Sequence, residues 1–179
     1  QWCFGVSFYS TVFIVFNIYV QQSKAIESFG NRTKVIKQSY DHDVLNWILN
    51  QPLKTQIGTS VSSLKNTEEV TYYSKNHVSY PFMPNEFKSF GVWQKKHTQY
   101  HTSGDIKKIE YNEKLTFGDK TLNRYQLLAN YKRGIAQTIT TPGRYSSTPI
   151  SYTKLVDDNG WVTQEVDFEG NIINYGYDN

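Results

Sequence analysis

Chemistry in this chain would have to start from its four histidines, His42, His77, His97 and His101. His97, His101 and Asp105 follow one another at intervals of four. On one extended strand they would share a face, and two imidazoles with a carboxylate form a zinc ligand set. Gly104 interrupts such a strand just before Asp105, and polar side chains on a solvent face account for the pattern more simply. Asp41 and Asp43 flank His42, but the sequence offers neither a matched nucleophile nor an oxyanion-stabilising element. Asp157-Asp158-Asn159-Gly160 is acidic enough to suggest calcium. An EF-hand loop carries glycine at its sixth position and glutamate at its twelfth, and neither falls there. The single cysteine, Cys3, has no partner for an internal disulfide and matches no metal or redox spacing. Asn31-Arg32-Thr33 is a glycosylation sequon of a kind met often by chance. The expectation is a chain without catalysis, metal or cofactor.

The same acidic loop makes better sense as a turn. Asp157-Asp158-Asn159-Gly160 is followed, ten residues on, by Asp167-Phe168-Glu169-Gly170. Glycine accepts the positive φ of tight hairpin turns, and Asp and Asn bond their own backbone there. Between the turns, Trp161-Val162-Thr163-Gln164-Glu165-Val166 is β-prone. After the second, Ile173, Tyr175 and Tyr177 alternate with Asn174 and Gly176, which predicts a half-buried strand. Similar glycine turns recur at Gly30-Asn31, Gly104-Asp105, Gly118-Asp119 and Gly170-Asn171, each leading into a β-prone run. The spacing is uneven, so the repeats are degenerate.

At 179 residues the chain is long enough for one domain with its own core. Aromatics make up 16%, with 14 tyrosines, a composition suited to pleated, half-buried surfaces. The formal charge of +3 is small and scattered, which argues against a nucleic-acid partner. Residues 1–22 carry no charge. One reading is a pair of buried strands with Val12, Ile14, Phe16, Ile18 and Val20 on one face. The other is a membrane-associated segment. Downstream, Pro52 stops any helix and starts a new strand. Leu122, Tyr125 and Leu128 leave residues 121–131 open between strand and short helix.

Three groups of residues carry a family resemblance. Gly170-Asn171 leads to Tyr175-Gly176-Tyr177-Asp178. Asn46-Trp47-Ile48-Leu49-Asn50-Gln51-Pro52 forms the second group. The third is Tyr131-Lys132-Arg133-Gly134-Ile135-Ala136-Gln137, with Asp157-Asp158-Asn159-Gly160-Trp161 downstream. In these residues and their order the sequence resembles the RHS/YD-repeat proteins of bacteria. That family also supplies the shells of Tc-toxin C components and, more distantly, the YD shell of teneurins. The resemblance covers residues 28–179 and is densest in the last fifty. Asn50 stands where glycine is usual and Ala136 where proline is usual, which loosens turn geometry without touching chemistry.

The resemblance implies an all-β fold of degenerate YD-repeat hairpins, part of a spiralling antiparallel sheet with little helix. Residues 23–179 would form that segment, with residues 1–22 of separate status. Such a sheet encloses a C-terminal toxin or effector, so the implied partners are the rest of the parent shell and its cargo. The implied location is secreted or at the cell surface. Gly30, Asn31, Trp47, Pro52, Gly104, Asp105, Arg133, Gly134, Asp157, Gly160, Trp161, Asp167, Gly170, Asn171, Tyr175, Tyr177 and Asp178 are expected to build the hairpins. The autoproteolytic core and variable toxin domain of the family have no counterpart in the motifs, so its toxin activity does not transfer. The alternative is an aromatic-rich β-module that binds cell-surface carbohydrate, with Trp93 and Tyr100 as stacking platforms. An inert remnant with open sheet edges is a third reading.

Overall fold

The computed structural model describes residues 11–16, 22–29, 31–43, 45, 48–117, 120–143 and 148–178. They form two compact units, residues Gln1–Tyr72 with Glu86–Trp93, and Tyr73–Asn85 with Gln94–Asn179. The first contains β1 (Thr11–Phe16), β2 (Gln22–Phe29), β3 (Arg32–Asp43), β4 (Ile48–Gly58) and β5 (Lys65–Tyr72), with most of β6 (Pro84–Ser89) and the start of β7 (Val92–Tyr100). The second holds the rest of β7, then β8 (Ile106–Phe117), β9 (Lys120–Lys132), β10 (Ile135–Pro142), β11 (Pro149–Val156), β12 (Val162–Val166) and β13 (Ile172–Asn174). Within each unit, sequence neighbours pair antiparallel in chain order. The fold is all-β, and Val61–Ser63 forms a 3-10 turn.

Turn chemistry sets these boundaries. Arg133-Gly134 joins β9 to β10, with Lys132 opposite Ile135. Both turn residues have positive φ, 53° and 77°, as a two-residue type I′ hairpin requires. Phe90-Gly91 repeats that pattern between β6 and β7, at 49° and 80°.

The choice left open at residues 121–131 resolves to strand, since they lie in β9. Leu122, Leu127 and Leu128 sit in a chain that pairs with strands on both sides, and that pairing overrides the weak helical spacing. Pro52 does not start a strand, because β4 begins at Ile48 and runs through it. Pro52 lies opposite Tyr40, where the β3–β4 register slips between Ser39 and Tyr40. A bulge tolerates a residue with no N–H to donate. β1 is a strand paired with β2, and residues 1–10 and 17–21 lie outside the described part.

Each unit has a narrow core. In the first, Ala25 and Val35 are buried, on the neighbouring strands β2 and β3. In the second, Tyr100, Ile109, Leu128 and Val156 are buried together with His97. His97 lies directly across from Ile109. Cross-strand pairs of this kind are the unit of stabilisation in a sheet.

Candidate functional site

Three turns of the second unit share one geometry. They are His101 to Asp105, Asp157 to Trp161 and Asp167 to Asn171. In each, the first N–H donates to the fifth carbonyl, at 2.8, 2.9 and 3.0 Å. The N–H of the fourth residue, always glycine, donates back to the first carbonyl at 3.0, 3.3 and 3.1 Å. Those glycines, Gly104, Gly160 and Gly170, have φ of 91°, 91° and 88°, a region that L side chains rarely adopt.

The two aspartate turns go further. Asp157 Oδ1 accepts from Asn159 N at 2.9 Å and Trp161 N at 2.8 Å. Asp167 Oδ1 accepts from Glu169 N at 2.8 Å and Asn171 N at 2.9 Å, and Asn171 Nδ2 donates to Asp167 Oδ2 at 2.8 Å. These donors, the Asn171 side chain first, hold the Asp167 carboxyl below its ordinary range. In the third turn, His101 occupies the aspartate's place and its ring turns away, with Nε2 donating to the Leu128 carbonyl at 2.8 Å.

The structure brings the Arg133 hairpin and the Asp157 turn together. Arg133 Nε donates to the Asp158 carbonyl at 2.9 Å, and Lys132 Nζ reaches Asp158 Oδ1 at 2.8 Å. That ion pair, chiefly through its hydrogen bond, lowers the Asp158 pKa. A Cβ on Gly160 would meet Arg133 Cβ at 3.4 Å, so the contact is tight. Gln137, on β10, adds a second tie. Its Nε2 donates to the Asn130 carbonyl at 3.1 Å and its Oε1 accepts from Val156 N at 3.1 Å. The Val156 contact falls where the β11–β12 register slips. Gln137 is marked in the sequence only as the last residue of the Arg133-Gly134-Ile135-Ala136-Gln137 run, and Asn130 carries no sequence signal.

The Tyr-Gly-Tyr-Asp tail folds back on β12. Tyr175 N donates to the Thr163 carbonyl at 2.9 Å and Tyr175 Oη to Glu165 Oε2 at 3.0 Å. Tyr177 Oη donates to the Val162 carbonyl at 2.7 Å. Its ring meets Trp161 edge-on, with centroids 4.3 Å apart. The half-buried strand expected through Tyr177 is not formed. β13 ends at Asn174, and Ile173, Tyr175 and Tyr177 are all exposed. Among the described residues β13 pairs with β12 alone, so nothing covers its outer edge. Asp178 is exposed too.

Other expected positions lie apart. Asn31 is exposed at the tip between β2 and β3, where Phe29 faces Arg32. Pro52 O accepts from Tyr72 Oη at 2.9 Å. Gly30, Trp47, Gly118 and Asp119 lie outside the described residues. His97, His101 and Asp105 do not converge: His97 Nδ1 lies 3.0 Å from Tyr100 Oη, and Asp105 Oδ2 accepts from Ser103 Oγ at 2.8 Å. Among the described residues no cluster of three His, Cys, Asp or Glu is placed to hold a metal ion. Tyr100 is only 7% exposed, so it offers no face to a sugar ring.

No protein-family model matches the sequence, and no curated protein matches it. Among solved structures, the chain is similar to the Tc holotoxin pore of Photorhabdus luminescens, with a TM-score of 0.42 and 10% identity. The similarity covers 93% of this chain and 7% of that one. Among the described residues, no helix is long and apolar enough to cross a membrane.

Proposed function

We propose that this chain is a non-catalytic wall segment of an RHS/YD-repeat protein, whose hairpin strip encloses a C-terminal toxin or effector domain. The observation that carries the reading is the clasp of the Arg133-Gly134 hairpin on the Asp157–Gly160 turn. Two of the elements that carry the family resemblance meet there, through bonds to backbone carbonyls and glycine. Those residues are spent on turn geometry, which is what a structural repeat needs and a catalytic site does not. The narrow cores support the same reading, since a hairpin cannot cover its own apolar face and depends on neighbouring hairpins. The partners are then the rest of the parent shell and its cargo, in a secreted or surface protein.

The translated reading frame on both sides tests this. Further glycine turns and Tyr-Asp units, followed by a distinct C-terminal domain, are expected. Flanks of unrelated fold without a single such unit would overturn the reading.

A further inference from the structure

Asn159-Gly160 is the one Asn-Gly pair in the chain. It fills the third and fourth positions of the Asp157–Trp161 turn, the turn that the Arg133 hairpin clasps. Asparagine is a thermolabile residue, because the backbone nitrogen that follows it can attack its side-chain amide. A side chain on the following residue crowds that approach, and glycine has none. The equivalent pairs in the other two turns are Ser103-Gly104 and Glu169-Gly170, which carry no amide to attack.

The surroundings leave this reaction open. Asn159 is exposed. Its backbone N–H donates to Asp157 Oδ1, and among the described residues no bond holds its side-chain amide. Gly160 N donates to the Asp157 carbonyl at 3.3 Å, the longest of the three equivalent bonds and beyond the usual limit of about 3.2 Å. Other asparagines are placed differently. Asn171 Nδ2 is held by Asp167 Oδ2 at 2.8 Å, Asn66 Nδ2 by Glu69 Oε1 at 2.8 Å and Asn130 Nδ2 by Thr138 Oγ1 at 2.9 Å. The residues that follow them, Ile172, Thr67 and Tyr131, are branched or bulky.

We propose that Asn159 is a site of spontaneous covalent modification, which converts to isoaspartate and thereby loosens the clasp between Arg133 and the Asp157–Gly160 turn. Gly160 N gives its proton to solvent, and its lone pair forms a bond to Asn159 Cγ. The Cγ–Nδ2 bond breaks, and Nδ2 takes a proton from solvent and leaves as ammonia. The product is a cyclic imide, which water then opens. Attack at the backbone carbonyl of the imide leaves isoaspartate, with the chain running through Cγ, and attack at Cγ leaves aspartate. In sum, one water is consumed and one ammonia released.

Isoaspartate inserts a methylene into the chain between residues 159 and 160. Three bonds of the turn span that point: Asp157 N to the Trp161 carbonyl at 2.9 Å, Gly160 N to the Asp157 carbonyl, and Trp161 N to Asp157 Oδ1 at 2.8 Å. The Asp158 carbonyl that accepts from Arg133 Nε lies inside the same turn. Arg133 thus helps to keep Gly160 N–H on the Asp157 carbonyl and away from Asn159 Cγ. The clasp slows the reaction, and the product loosens the clasp.

The full chain, incubated folded at pH 8 and 37 °C over weeks, is digested and mapped by mass spectrometry, with isoaspartate told from aspartate by its fragmentation. Asn159 should lose its amide at least fivefold faster than Asn66, Asn130 or Asn171. Arg133→Ala, at an exposed position, should raise the Asn159 rate at least twofold. The converted fraction, separated by charge, should unfold at a lower urea concentration than the starting protein. Conversion of Asn159 no faster than that of Asn171, or to aspartate alone, would overturn the site. An unchanged rate in Arg133→Ala, or an unchanged urea midpoint in the converted fraction, would overturn its coupling to the clasp. Should Arg133→Ala not fold, the urea midpoint of the converted wild-type chain decides the coupling alone.

Discussion

Arg133 Nε donates to the Asp158 carbonyl at 2.9 Å, across 25 residues of chain. The β9–β10 hairpin thereby holds the turn between β11 and β12, two connections further on. The donor is the guanidinium Nε, which lysine does not have. Arg133→Lys should therefore behave much like Arg133→Ala, each costing up to about 1 kcal/mol because the site is exposed. A double-mutant cycle with Lys132→Ala, followed by urea unfolding, would separate the Nε bond from the Lys132–Asp158 pair.

Gly160 and Gly134 both have positive φ, but their surroundings differ. A Cβ at Gly134 meets nothing within 4 Å, whereas one at Gly160 meets Arg133 Cβ at 3.4 Å. Gly134→Ala should cost about 1 kcal/mol from backbone strain alone. Gly160→Ala should cost more and should also loosen the Arg133 bond. Thermal unfolding of the two variants ranks them.

The Asp167 turn should respond to acid. Hydrogen bonds hold the Asp167 carboxyl below its ordinary value, so its contribution is present above the unfolded pKa of 3.8 and fades as pH falls through the lower folded value. Asp167→Asn should remove that dependence. Asp157→Ala, which strips the two bonds that its carboxylate accepts from Asn159 and Trp161 N–H, should cost about 1–2 kcal/mol at neutral pH. Chemical denaturation at pH 7 and pH 3 reads both.

His97 gives a second pH dependence with its own window. Its folded pKa is about 4 against 6.5 for the free side chain. Between those values the unfolded chain binds more protons, so stability falls as pH drops from about 6.5 to about 4. The full loss is on the order of 3 kcal/mol. His97→Leu should flatten that part of the stability curve.

Much of this was legible in residues whose chemistry is local. The glycine turns at Gly104, Gly160 and Gly170 need positive φ whatever surrounds them, and Asp157 and Asp167 bond their own backbone. Neither depends on distant partners. Strand β9 was not legible, because the choice between helix and strand there rests on pairing with β8 and β10. The position of Pro52 within β4 depends on a bulge opposite Tyr40 that no local pattern announces. The ring cluster of His77, Tyr80, His97 and Tyr100 was not legible for the same reason: these residues follow no common period, and only the fold gathers them. The tail misled in the opposite sense, since the alternation of Ile173, Tyr175 and Tyr177 fits a strand that no further strand covers among the described residues.

The most direct test of the wall reading is a side-chain-resolution structure of the complete polypeptide that carries this segment. The account predicts that the outer edge of β13 is hydrogen-bonded to another antiparallel strand of the same polypeptide, with the Arg133–Asp158 bond retained. A β13 edge left in solvent, or covered by a sugar stacked on Trp161 and Tyr177, would contradict it.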